Sequence, residues 1–111
     1  MTEPDFTGWS AAGPYRTLFR VDRRPVWIDM LRVFPGLGSC GRRQDQLPLW
    51  VKGGGLRLEP WMEGTLRAWV RRADGGWLAW VCVPATSTNG VAHLPLQLWV
   101  EPEAITTTLP W

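Results

Sequence analysis

The chain has 111 residues, 45% of them apolar and 20% charged, with a formal net charge of +2. That length sets a single domain with room for one core, and that apolar content excludes a disordered chain. So mild a charge lacks the basic excess usual in nucleic-acid binders.

The longest near-continuous apolar stretch, Trp77–Ala85, is about half the ~20 residues a membrane-spanning helix needs. Met1-Thr2-Glu3-Pro4-Asp5 shows no basic-then-apolar signal pattern, so the expected location is the cytoplasm. In that setting Cys40 and Cys82 are expected as reduced thiols. With His93 the only histidine and no cysteine pair at metal-ligand spacing, neither a metal site nor a cofactor is expected. Of the twelve basic residues only Lys52 is a lysine. Together with abundant Gly, Pro, Ala and Trp this reflects GC-rich coding, which lowers the weight of arginine as a recognition signal.

Ten prolines and twelve glycines leave no room for long helices. Residues 1–13 read as an N-terminal arm and 14–111 as one β domain. Strands are expected near Tyr15–Val21, Val26–Phe34, Leu47–Val51, Leu56–Leu58, Thr65–Arg71, Trp77–Val83 and Leu96–Val100, with a last one at Ile105–Leu109. Pro35–Gln46 and Ser87–His93 read as loops, and a single 3₁₀ turn is expected near 102–105. The fold class is all-β: a small antiparallel barrel or strongly twisted sheet.

Asp74-Gly75 is the strongest turn signal, because Asp-Gly favours a two-residue hairpin loop. With that loop Val70 faces Ala79, Ala68 faces Val81 and Leu66 faces Val83. Trp69 then stands beside Trp80 on the other side, with Arg71 beside Leu78 and Arg67 beside Cys82. A three-residue loop reverses the facing of one strand. A second hairpin is expected with Arg23-Arg24 at its tip, pairing Phe19 with Ile28 and Arg20 with Trp27. By alternation, Trp27, Trp50, Trp69, Trp80 and Trp99 all fall opposite the aliphatic stripe. Val70, Ala68, Val81, Leu66, Phe19 and Ile28 are the expected core.

The closing stretch Leu98-Trp99-Val100-Glu101-Pro102-Glu103-Ala104-Ile105 resembles the end of a Src-homology-3-like small barrel, in which a strand leads through one 3₁₀ turn into a short last strand. The hairpin Leu66–Val83 is similar to that superfamily's central hairpin. The family's peptide-groove aromatics are not visible as a motif, so its proline-peptide binding does not carry over.

Trp69 and Trp80 with Arg67 and Arg71 are the leading binding candidates, joined by Trp27, Arg20, Trp50 and Trp99. Trp and Arg dominate protein interfaces, and stacked aromatics with arginine also suit single-stranded nucleic acid. The structural alternative is that the N-terminal arm or a second layer covers these rings. Gly36-Leu37-Gly38-Ser39-Cys40-Gly41-Arg42-Arg43 lacks the Lys-Ser/Thr ending and the following helix of a phosphate-binding loop, which leaves a solvated loop with Arg42 and Arg43 as phosphate contacts. Cys40 has no base placed beside it, and no spacing forces two carboxylates together, so no catalytic residue is expected.

The expectation is a non-catalytic interaction domain that binds a protein partner or a second copy of itself through a Trp-rich sheet face. The alternative is a nucleic-acid-binding small barrel, an accessory protein of a bacterial phage, plasmid or defence system. On an outer face Trp80→Ala leaves folding largely intact, since a cross-strand aromatic pair contributes only about 0.2–1 kcal/mol.

Overall fold

The computed structural model describes residues 18–37 and 47–108, together with Pro4 and Trp9. The expected arm, the start of the first strand before Leu18, the loop segment with Cys40, Arg42 and Arg43, and residues 109–111 lie outside the described residues, apart from Pro4 and Trp9.

Five strands form one antiparallel sheet in the order β4-β3-β2-β1-β5. They are β1 (Phe19–Asp29), β2 (Trp61–Arg71), β3 (Trp77–Thr86), β4 (His93–Val100) and β5 (Ile105–Thr106), with one 3₁₀ turn at Pro102–Ala104. The sheet is open, with β4 and β5 at its edges. Two short helices were not expected: α1 (Met30–Val33) and α2 (Leu49–Gly54). Asp29 ends β1 by capping α1, its Oδ1 accepting from the Leu31 amide at 3.2 Å. Leu47, Leu49 and Val51 alternate as a strand would, yet Pro48 starts a helical turn, its carbonyl accepting from Val51 and Lys52. Leu56–Leu58 reduces to a bridge between Leu56 and Ser87.

The first expected hairpin does not exist. Phe19 to Asp29 is one strand paired along its length with β2, Phe19 opposite Val70 and Ile28 opposite Met62. Arg23-Arg24 therefore marks a register step between Val21 and Arg24, not a turn.

The second hairpin turns through three residues. The Arg72 amide donates to the Gly76 carbonyl at 2.7 Å and the Gly75 amide to the Arg72 carbonyl at 3.0 Å. Gly75 sits at φ +93°, the left-handed position that closes such a loop and that a Cβ disfavours. Val70 consequently faces Leu78, Trp69 faces Ala79 and Ala68 faces Trp80, one residue away from the expected register. Further along β2 the register shifts by one more residue in the same direction, so that Leu66 faces Val81 rather than Val83, with Arg67 as the extra residue.

These steps define two faces. The inner face carries Val26 and Ile28 of β1, Leu66 of β2, Ala79, Val81 and Val83 of β3 and Val100 of β4; Met30 of α1 and Ala104 of the 3₁₀ turn close the core over it. The outer face carries Val21, Ala68, Trp80 and Trp99 in one cross-strand row. Of the six expected core residues, Ile28, Leu66 and Val81 are buried within, and Ala68 is buried on the outer side. Phe19 and Val70, paired on that outer side, are half-buried.

Gly64 of β2 is hemmed in by the two strands that flank it. A Cβ there would meet the Cys82 carbonyl oxygen at 2.6 Å and Ile28 Cδ1 at 2.7 Å. Gly64→Ala is therefore expected to lose about 1–3 kcal/mol through overpacking. Gly53→Ala, with open space around the same position in α2, is expected to gain a few tenths to about 1 kcal/mol. Urea unfolding of the two variants checks the pair; equal effects would contradict the packing described.

Candidate functional site

The register separates residues that the sequence groups together. Trp69 points inward beside Ala79 and packs against the core cluster, whereas Trp80 points outward beside Ala68. They are neighbours on one strand pair but lie on opposite faces. The cause is the three-residue loop closed by Gly75, which reverses the last turn-proximal residues of β2, while Arg67 restores the parity of Leu66.

On the outer side Trp80 and Trp99 stack with ring centroids 6.1 Å apart and planes at 21°, and the Arg67 guanidinium lies 5.7 Å from the Trp80 ring centre. Trp80 is only 5% exposed, whereas Trp99 is 42% exposed. The expectation of an outer, accessible Trp80 is corrected: the ring faces outward and is nonetheless buried. Trp27 also faces outward, half-buried opposite Glu63 and Thr106. Trp50 is not on the sheet at all; it stands on α2, 78% exposed. Cys82 carries a free thiol beside Thr65 and Gln97.

On the inner side, at the turn end of the sheet, Arg20, Trp69, Trp77 and Pro102 line a small apolar cleft of about 240 Å³. β1 and β2 bring Arg20 opposite Trp69, and the three-residue turn brings Arg71 opposite Trp77. The Arg71 guanidinium lies 5.0 Å from the Trp77 ring centre. The 3₁₀ turn supplies Pro102 as the far wall. Arg20, Trp69 and Arg71 of the expected site thus meet here, while Arg67, Trp80, Trp99 and Trp27 belong to the other face.

Trp77, Pro102 and Asp22 are the members that sequence reasoning missed. The glycine pair Gly75-Gly76 held the signal for Trp77, because a longer loop places Arg71 opposite it.

Asp22 orients the site. It accepts from Trp69 Nε1 at 3.2 Å and pairs with Arg24 Nε at 2.9 Å. Partial desolvation works against its ionisation. Hydrogen bonds from Arg24 and Trp69 and the charges of Arg24 and Arg20 outweigh that and hold the carboxyl below the usual aspartate range. Among the described residues Arg24, Arg32, Arg57 and Arg72 are in ion pairs with carboxylates, whereas Arg20 and Arg71 are in none.

No group of three His, Cys, Asp or Glu side chains among the described residues is placed to hold a metal ion. No helix among them is long and apolar enough to cross a membrane.

Two outcomes are expected. Trp80→Ala removes a buried ring and should cost about 3–5 kcal/mol in denaturant melts; a loss below about 1 kcal/mol would place the ring in solvent. For Asp22 the folded pKa is depressed, so as pH falls the unfolded chain takes up the proton first. Its contribution is complete above about pH 4 and lost below it. Asp22→Asn should flatten the fall of stability as pH drops below about pH 4, and an unchanged acid slope would contradict the contacts described. Comparisons of the chain with protein-family models, with curated proteins and with solved structures give no match.

Proposed function

We propose that this chain is a non-catalytic, cytoplasmic interaction domain that binds an acidic segment of a protein partner in the Trp69–Trp77 cleft. The observation that carries the reading is the cleft itself: two half-buried indole rings and Pro102 around an apolar space, flanked by Arg20 and Arg71, neither of them in an ion pair. Ring faces supply contact area, and Trp and Arg are the residue types most enriched among interface hot spots. The two cations complement carboxylates placed beside an apolar or aromatic side chain. The strand order β4-β3-β2-β1-β5 and the 3₁₀ turn leading into β5 support placing the chain in the Src-homology-3-like superfamily as an open-sheet member.

A second reading rests on the Arg71–Trp77 contact. A guanidinium over an indole also suits a stacked base and its phosphate, as in a nucleic-acid-binding accessory protein of a phage, plasmid or defence system.

Tryptophan fluorescence titrations with acidic peptides that contain an aromatic residue, and with an oligothymidylate, each at several salt concentrations, separate the two. The expected result is peptide binding that Arg20→Glu weakens at least about tenfold. The circular dichroism of that variant should stay unchanged, because Arg20 is exposed. Oligonucleotide binding with a steep salt slope, and no peptide binding, would overturn the protein-partner reading in favour of the second.

A further inference from the structure

The open edge of β4 has a hydrogen-bonding phase that two prolines reveal. Pro84 of β3 and Pro95 of β4 stand directly opposite each other. Neither has an N–H, so they cannot exchange the two bonds of a hydrogen-bonded pair and must occupy a non-hydrogen-bonded position. In an antiparallel ladder the two kinds of pair alternate, which makes Ala85–Leu94, Val83–Leu96 and Val81–Leu98 the bonded pairs. The same alternation continues past the strand end, where the Ser87 amide donates to the Ala92 carbonyl at 2.8 Å. Residues 93, 95, 97 and 99 therefore turn their backbone groups away from β3, toward the edge. His93 and Gln97 offer an N–H and a C=O each, with no partner for them among the described residues, and Pro95 offers a C=O alone.

Exposed edges of this kind are usually guarded by charge, by proline, by a bulge or by being short; the proline here, Pro95, removes one N–H and leaves its C=O directed outward. Here eight residues, His93–Val100, contain no Lys, Arg, Asp or Glu. The register with β3 runs without a step from Ala79–Val100 to Thr86–His93. Leu94 is 50% exposed along the edge.

We propose that β4 pairs antiparallel with β4 of a second copy of this chain about a two-fold axis at Gln97, joining two sheets into one. The choice of a second copy rests on self-complementarity. With the axis at Gln97, that residue exchanges both backbone bonds with its own counterpart. Pro95, which has no N–H to lose, falls opposite Trp99 of the second copy. Leu96 meets Leu98 and Leu94 meets Val100 on the inner side. Shifting the register by one residue sets edge-directed groups against groups already bonded to β3, and the pairing fails. This surface is separate from the Trp69–Trp77 cleft, so the two readings stand or fall independently.

The test measures the mass of the full chain by sedimentation equilibrium, for the wild type and for two variants. Gln97→Lys sets two like charges directly opposite at the axis without touching the backbone. Gln97→Pro removes the edge-directed N–H, which takes no part in the β3 ladder. The wild type is expected to dimerise, and both variants to dissociate at least about tenfold more readily with unchanged circular dichroism. Salt should partly restore the Lys variant. Hydrogen exchange of the wild type gives a readout free of mutation: amide protection at Gln97 should rise with protein concentration. A wild type that stays monomeric, or a dimer indifferent to both variants with no concentration-dependent protection at Gln97, would overturn the proposal.

Discussion

Between Val21 and Arg24, Ala68 and Leu66, and Trp80 and Val81, the same span of sheet takes three residue steps in β1, two in β2 and one in β3. Each step leads from an outer-facing to an inner-facing residue. In β1 and β3 simple alternation achieves this; in β2 it cannot, and Arg67 is the irregular residue. Unequal path lengths across neighbouring strands bend and twist the sheet at that line. Asp22 sits in the bend and is held by Arg24 and by the Trp69 indole. Remove that step and Leu66 would leave the core, where it packs with Val81 and Ile28.

The bend and the Gly75 turn together decide where the aromatic residues go. Turn-side of the bend, β2 presents Trp69 inward and Ala68 outward; beyond it, Leu66 takes the inward place. Trp69, half-buried against the core, leaves one side of its ring to the cleft shared with Arg20, Trp77 and Pro102. Ala68 is small, and the large Trp80 ring beside it stacks on Trp99 with the Arg67 guanidinium over it. The sheet tryptophans Trp80 and Trp99 thus pack on the outer face, while Trp69 and Trp77 line an accessible cleft. A protein this small has too little interior to absorb the rings in a single core.

Much of the fold was legible because period-two alternation is a strong signal wherever strands are regular. Ala79, Val81 and Val83 read correctly as inward residues, and Leu98-Trp99-Val100 followed by Pro102-Glu103-Ala104 read correctly as a strand and a 3₁₀ turn. What failed was register and chain reversal. Asp74-Gly75 is compatible with two-residue and three-residue loops, and the choice moves Trp69 from beside Trp80 to beside Ala79. Arg23-Arg24 looked like a hairpin tip because a register step and a turn both interrupt the apolar pattern with polar residues. At Leu47–Val51 alternation misled, since Pro48 starts a helix there and Leu49 and Trp50 both remain exposed. The candidate site suffered accordingly. Its members Arg20, Trp69 and Arg71 were visible as residues, but Trp77 joins them only once the loop length is known, and Pro102 only through tertiary packing.

All of this depends on Trp69 and Trp80 lying on opposite faces. Nuclear Overhauser contacts from the two indoles report that directly in solution. The account predicts contacts from Trp69 to Ala79, Val100 and the Pro102 ring, and from Trp80 to Ala68 and Trp99. Strong ring-to-ring contacts between Trp69 and Trp80, with none from Trp69 to Ala79, would restore the two-residue turn and contradict the arrangement of both faces.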